Sequence, residues 1–274
     1  MNCPKTRAAI ALGGNTGSVA VNLADALRIL ATRGVTIVAT AGLYDTTPVG
    51  TCGSQRYLNS AALVETDRTP DGLLQELQDV EWQLGRRREA HWGPRPVDLD
   101  LVWFGDVVCE TPRLTLPHPA CWYRRFVLEP LAEVAPHWRH PDRGLTVEAL
   151  RDRWRRRPVE IALAGGTKDW RDRLRHTPPT LSPGVILIAD SDDSPASRQQ
   201  ASLIAWRGES PEVPTAARPR GESSDPGFRA LPADRRLDVS REAALSDDWL
   251  TFVSQSVGDE PRRIAELDLE IGSR

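Results

Sequence analysis

Four strand-like runs and two amphipathic helical repeats, in the order strand, helix, strand, strand, helix, strand, predict an α+β fold for residues 1–157. That order is the ferredoxin-like one, an antiparallel sheet covered by helices. After Arg155-Arg156-Arg157-Pro158 the composition shifts, which sets off residues 158–274 as a C-terminal extension. Residues 7–13, RAAIALG, form a short apolar run ending in Gly-Gly-Asn and read as a buried strand with a turn. Val19, Leu23, Ala26, Leu27 and Leu30 recur at helical spacing, and Gly34 supplies the stop, so a helix is expected over 19–33. Val35–Tyr44 and Tyr57–Thr66 are rich in strand formers and flank a loop with Pro48, Gly50 and Gly53. A second helix opens with Thr69 as N-cap and Pro70 at its first position, carries Leu73, Leu74, Leu77 and Leu84, and stops at Gly85. Residues 86–95, RRREAHWGPR, have no core pattern and form a charged loop. Strands are expected at 96–104 and 107–109, then helices at 120–135 and 146–154.

In the extension, Val159–Leu163, Val185–Ala189 and Ser202–Trp206 read as strands, and with the apolar tail at 239–271 they suggest a small α/β unit. The Pro, Gly, Ser and Arg-rich stretch at 208–236 is expected to be a disordered linker. Gly165-Gly166-Thr167-Lys168 is too short and off-pattern for a phosphate loop and reads as a turn.

Composition narrows the function classes. A formal net charge of -3 and a pI near 6.0 give no global attraction to nucleic acid or to anionic membranes, so the expected partner is a small molecule. No apolar run approaches the roughly 20 residues of a membrane span, and MNCPKTRAA lacks a signal peptide's apolar centre. A soluble, cytoplasmic monomer is the expectation. Cys3, Cys52, Cys109 and Cys121 are widely spaced without a CxxC pair, which argues against structural zinc and against a dense disulfide framework. Lysine occurs only at positions 5 and 168, so phosphate contacts must come from arginine, whose fork grips oxyanions bidentately.

The strongest chemical signal is Trp92-Gly93-Pro94-Arg95-Pro96-Val97-Asp98-Leu99-Asp100. On a strand, Asp98 and Asp100 share one face while Leu99 and Leu101 share the other. Two carboxylates on one face repel unless a cation lies between them, and such a pair with open positions for phosphate oxygens suits Mg²⁺. Taken alone, the pattern also fits two solvated aspartates. Arg86, Arg88 and Arg95 before it, and Arg113 to His118 after it, add the anion donors that transfer of a phosphate-bearing group requires.

Here the chain resembles the 6-hydroxymethyl-7,8-dihydropterin pyrophosphokinase family from about residue 7 to 154. The resemblance rests on IALGGN, Tyr44-Asp45-Thr46-Thr47-Pro48-Val49-Gly50, Tyr57-Leu58-Asn59, Gln78 with Glu81, and the WGPRPVDLD segment. It implies transfer of diphosphate from ATP to a pterin hydroxymethyl oxygen with release of AMP, in folate biosynthesis, with two Mg²⁺ ions on Asp98 and Asp100. It implies a pterin pocket at Thr46, Thr47, Val49, Tyr57, Asn59, Trp92 and Phe126. It further implies an ATP site at Gln78, Glu81, Arg86, Arg88, Arg95, Arg113, Thr115, His118 and Arg124, with Arg88, Arg95, Asp98 and Asp100 catalytic and the loop 86–95 as a lid. The aromatic faces and hydrogen-bonding edges at the pterin positions agree with a flat heterocycle. Departures from the family pattern are Gly14 where serine is frequent, Thr47 where proline is frequent, Pro119 where some members carry an aromatic residue, and a loop one residue shorter than in some. A metal-dependent nuclease or nucleotidyltransferase would need a further acidic ligand and a broader basic surface, and an inactive scaffold would be expected to have lost part of the carboxylate or pterin set.

Overall fold

The computed structural model of the chain describes residues 5–49, 55–87, 95–176, 181–188, 201–207, 234, 236–238, 248–267 and 269. The first part runs β1 (Thr6–Gly14), α1 (Val19–Thr32), β2 (Thr36–Thr40), β3 (Leu43–Thr46), β4 (Tyr57–Thr66), α2 (Pro70–Gln83) and β5 (Asp98–Phe104). A short ribbon, β6 (Cys109–Glu110) with β7 (Thr115–Leu116), leads to α3 (Arg125–Val134) and α4 (Val147–Arg155). β1 lies at the centre, antiparallel to both β4 and β5, and β2 and β3 pair with successive parts of β4. Counting β2 and β3 as one interrupted strand, this is the ferredoxin-like order.

Alternation along β1 divides the core. Ala8, Ile10 and Leu12 face α1 and α2, where they pack with Leu23, Leu27, Leu30, Leu73, Leu77, Leu99 and Leu101. On the opposite face Ala9 and Ala61 leave room for α3 and α4, and Trp103, Trp122, Leu128, Leu131 and Trp154 close that side. Trp154 Nε1 donates to the Trp122 carbonyl at 2.6 Å, which satisfies the indole inside this apolar layer. The Thr69 hydroxyl accepts the Gly72 N–H and Pro70 opens α2, as the residue types predict.

Three elements differ from expectation, the strand expected at 107–109 being reduced to β6 at Cys109–Glu110. The strand expected over 35–44 is broken at Ala41-Gly42, where hydrogen bonds leave the regular ladder: the Ala41 carbonyl accepts the Ser60 hydroxyl at 3.0 Å and the Gly42 N–H donates to Glu133 Oε2 at 2.9 Å. The helix expected over 120–135 begins at Arg125. Residues 120–124 form turns in which Cys121 N–H donates to His118 O and Arg124 N–H to Ala120 O, burying Cys121, Trp122 and Tyr123 without a helix. Cys109 and Cys121 are free thiols; Cys3 and Cys52 lie outside the described residues.

The extension forms β8 (Val159–Gly165), α5 (Lys168–His176), β9 (Val185–Ile188), β10 (Leu203–Arg207), β11 (Arg236–Asp238), α6 (Asp248–Gly258) and β12 (Arg262–Ala265). β11, β10, β8 and β9 make a parallel sheet in that order, so the three expected strands are present. Gly165 and Gly166, both at φ 66°, form the turn from β8 into α5, a left-handed conformation that glycine adopts without strain. Nearly all of the stretch 208–236 lies outside the described residues. Trp170 of α5 stacks on Trp249 of α6 with centroids 6.2 Å apart. β12 then returns to the first sheet and pairs antiparallel with β3, so residues 262–265 complete a sheet begun by residue 6. Among the described residues no helix is long and apolar enough to cross a membrane.

Candidate active site

β5 points Leu99 and Leu101 into the core beneath α1 and α2, and Asp98 and Asp100 therefore face the other way. They line a cavity of about 40 Å³ with Ala11, Leu12 and Gly13 of β1, Asn59 of β4, and Phe126 and Val127 of α3. Gly13 is paired with both Asn59 and Asp98. A Cβ at position 13 would lie 2.6 Å from Asn59 Oδ1, so the missing side chain is what lets the asparagine occupy the cavity wall.

Asn59 donates through Nδ2 to Thr46 Oγ1 at 2.7 Å, and both residues are buried. This fixes the amide's orientation and leaves its remaining donor and acceptor capacity for a planar ligand edge. Tyr57 is paired with Thr46 on the same two strands. Thr47 follows β3; its N–H and its hydroxyl donate to Asp259 Oδ1 at 3.2 and 2.7 Å, a contact from the extension that no sequence pattern announces.

The carboxylates differ. Asp98 is held by Arg86 Nη1 on Oδ1 and by Arg95 Nη1 on Oδ2, the latter at 2.6 Å. Asp100 has no hydrogen bond or ion pair among the described residues; burial, then the Asp98 charge, push its carboxyl up to about 7, opposed by Arg124. Arg124 also lies over the Phe126 ring, 5.6 Å from its centroid.

Behind Asp98, Glu81 of α2 is 3% exposed. Its Oε1 accepts the Leu99 N–H at 2.7 Å and also Arg86 Nη1, so one buried carboxylate sets both the start of β5 and the guanidinium on Asp98. Asn15 clamps the other side: its Oδ1 accepts the Arg95 N–H at 2.8 Å, and its N–H donates to the Arg95 carbonyl at 3.0 Å. The Gly-Gly-Asn turn thereby anchors the end of the Arg-rich loop. Asn15 carried no assigned role from sequence, though its place in the IALGGN motif was a signal.

Asn59, Asp98, Asp100 and Phe126 thus line one cavity, with Thr46 hydrogen-bonded to Asn59 and with Glu81, Arg86 and Arg95 gathered around Asp98. Arg113 Nη2 reaches α2 and donates to Gln75 Oε1 at 3.0 Å, one helical turn before Gln78. Thr115 lies on β7, and His118 Nδ1 accepts the Ala120 N–H while its own N–H donates to Val102 O of β5. Val49 is half-buried just past β3. Arg88 and Trp92, and most of the expected lid, lie outside the described residues.

Among the described residues no group of three or more His, Cys, Asp or Glu could hold a metal ion. The pair Asp98 and Asp100 nonetheless fits a hard divalent cation. Both are oxygen donors on one strand face, Asp100 is relieved of repulsion by a cation, and phosphate oxygens or water can fill the remaining positions.

The model of the family described as 7,8-dihydro-6-hydroxymethylpterin-pyrophosphokinase (HPPK) matches residues 9–136. The chain is 41% identical over 144 residues to the 2-amino-4-hydroxy-6-hydroxymethyldihydropteridine pyrophosphokinase of Synechocystis sp., covering 52% of this chain and 73% of that protein. It is 43% identical over 132 residues to the protein of the same description from Methylorubrum extorquens, covering 48% of this chain and 84% of that one. It is also 38% identical over 125 residues to a mitochondrial folate synthesis bifunctional protein of Pisum sativum, covering 46% of this chain and 24% of that protein.

Proposed function

The chain belongs to the 7,8-dihydro-6-hydroxymethylpterin-pyrophosphokinase family, and we propose that it transfers diphosphate from ATP to the hydroxymethyl group of 6-hydroxymethyl-7,8-dihydropterin, releasing AMP, in folate biosynthesis. The observation that carries this reading is a cavity lined by two same-face carboxylates and by Asn59, whose amide is held by a hydrogen bond to Thr46.

The Thr46–Asn59 pair recognises the polar edge of the pterin and Phe126 supplies an apolar face, with Tyr57, Thr47, Val49 and Trp92 completing that side. Asp98 and Asp100 would hold Mg²⁺, two ions between them, which would supply charge neutralisation of the phosphate oxygens. Arg86 and Arg95 pair with Asp98 and are placed beside it to reach phosphate oxygens of ATP. Glu81 keeps Arg86 from swinging away, and Arg88, Gln78, Arg113, Thr115, His118 and Arg124 make up the rest of the nucleotide side. The hydroxymethyl oxygen attacks the β-phosphorus while the bond to the bridging oxygen breaks and AMP departs with it. Residues 1–157 carry this chemistry in a soluble, cytoplasmic monomer, and residues 158–274 are an extension.

Phosphorus NMR of ATP with 6-hydroxymethyl-7,8-dihydropterin and Mg²⁺ tests the reading. AMP and a pterin diphosphate are expected to appear together, and Asp100→Asn is expected to abolish both. Production of ADP with a pterin monophosphate, or no turnover of the unaltered chain, overturns it.

A further inference from the structure

The segment after α6 is tied to the pterin side of the first sheet by β12 and by Asp259. Arg263 Nε donates to Glu133 Oε1 of α3 at 2.8 Å, and β12 pairs Arg262 with Asp45 and Arg263 with Tyr44. Gly42 makes room for this strand, since a Cβ there would lie 2.6 Å from Arg263 Nε and 2.8 Å from the Ala265 carbonyl oxygen. The contact from Asp259 is of another kind. Asp259 is 5% exposed, and its Oδ1 accepts the Thr47 hydroxyl at 2.7 Å and the Thr47 N–H at 3.2 Å. Its other oxygen, Oδ2, is buried without a hydrogen-bond partner. A carboxylate buried with one oxygen unpartnered costs stability, a cost the nearby Arg125 charge partly offsets. What it does is fix the backbone and side chain of one residue, at the point where β3 leaves β4 beyond the Thr46–Tyr57 pair.

We propose that the C-terminal extension completes the pterin pocket, and that Asp259 is a positioning residue that holds the Thr46-Thr47 end of β3 for the pterin. The proposal rests on the reading of Thr46, Thr47 and Asn59 as pterin contacts. Asp259 acts through Thr47. With its N–H and Oγ1 both bound, Thr47 is fixed before substrate arrives, and Thr46, whose hydroxyl accepts from Asn59 Nδ2, is held from its C-terminal side as well. A link of this kind lowers the ordering cost of binding, so its loss weakens pterin binding and leaves the nucleotide side untouched.

The test is steady-state kinetics of the full chain with both substrates, together with thermal melting. Asp259→Ala is expected to raise the pterin KM about tenfold, the effect of losing a charge-assisted hydrogen bond, with ATP KM and kcat within about twofold of the unaltered chain. Asp259→Asn keeps an acceptor for Thr47 and is expected to recover most of the loss. Arg262→Ala, on the same segment but with its side chain on Asp45 at 3.5 Å, is expected to behave as the unaltered chain. Asn59→Ala separates the two readings. If it raises the pterin KM and a folded Asp259→Ala does not, the positioning role is overturned while the pocket stands. If it leaves the pterin KM unchanged, the pocket reading falls and takes the proposal with it. Failure of both Asp259 variants to fold, or melting changes in them with an unchanged pterin KM, shows a structural role only and also overturns it.

Discussion

Burial and the neighbouring Asp98 carboxylate keep Asp100 protonated further up the pH scale than an ordinary aspartate, its pKa raised from 3.8 to about 7. Between those values the folded chain binds a proton that the unfolded chain releases. The group's contribution to stability is therefore present at low pH and lost as pH rises through about 7. A cation at Asp98 and Asp100 competes with that proton, so Mg²⁺ should bind roughly tenfold more tightly at about pH 8 than at about pH 6. Calorimetric titration with Mg²⁺ and a non-hydrolysable ATP analogue checks this, and Asp100→Asn should remove the pH dependence. Glu81 makes a different prediction, because two partners depend on it. Glu81→Ala strands the buried Leu99 N–H and releases Arg86, which should cost about 3 kcal/mol in urea unfolding and raise the ATP KM. Of these residues the sequence displayed Asp98 and Asp100 through their spacing. Spacing puts Glu81 on one helix face with Gln78, near the Arg-rich loop whose Arg86 it holds, but its burial and its hold on the Leu99 N–H were not legible, because they depend on β5 packing against α2.

Element ends were legible where a residue type has one conformational use. Thr69-Pro70 opens α2, and Gly34 and Gly85, at φ 88°, follow α1 and α2. Thr69→Ala removes the acceptor for the Gly72 N–H and should cost about 1 kcal/mol in thermal or urea unfolding. It should leave both KM values unchanged, since Glu81 and Gln78 lie at the far end of that helix. Local patterns failed where a long-range partner decides the backbone. The break between β2 and β3 depends on Glu133 and Arg263, distant in sequence from Gly42, and the turns at 120–124 are set by burial of Trp122 and Tyr123 rather than by helix propensity.

Across the whole molecule the two sheets share one apolar layer. Trp122, Leu128 and Trp154 from the first part pack in a continuous cluster with Val159, Ile161, Trp170, Trp249 and Leu250 from the extension. A chain ending at residue 157 would expose that layer and lose β12 from the edge of β3. Such a truncation should melt well below the full chain, with a pterin KM raised at least as much as in Asp259→Ala. Equal melting and equal KM would make the extension an independent appendage. The order of strands and helices and the shared face of Asp98 and Asp100 were determined by the sequence itself, because apolar periodicity and capping residues act over a few positions. The return of β12 to β3, the clamp of Asn15 on Arg95 and the grip of Asp259 on Thr47 were decided only by the tertiary structure. Each joins residues far apart along the chain through hydrogen bonds that neither residue's neighbours encode.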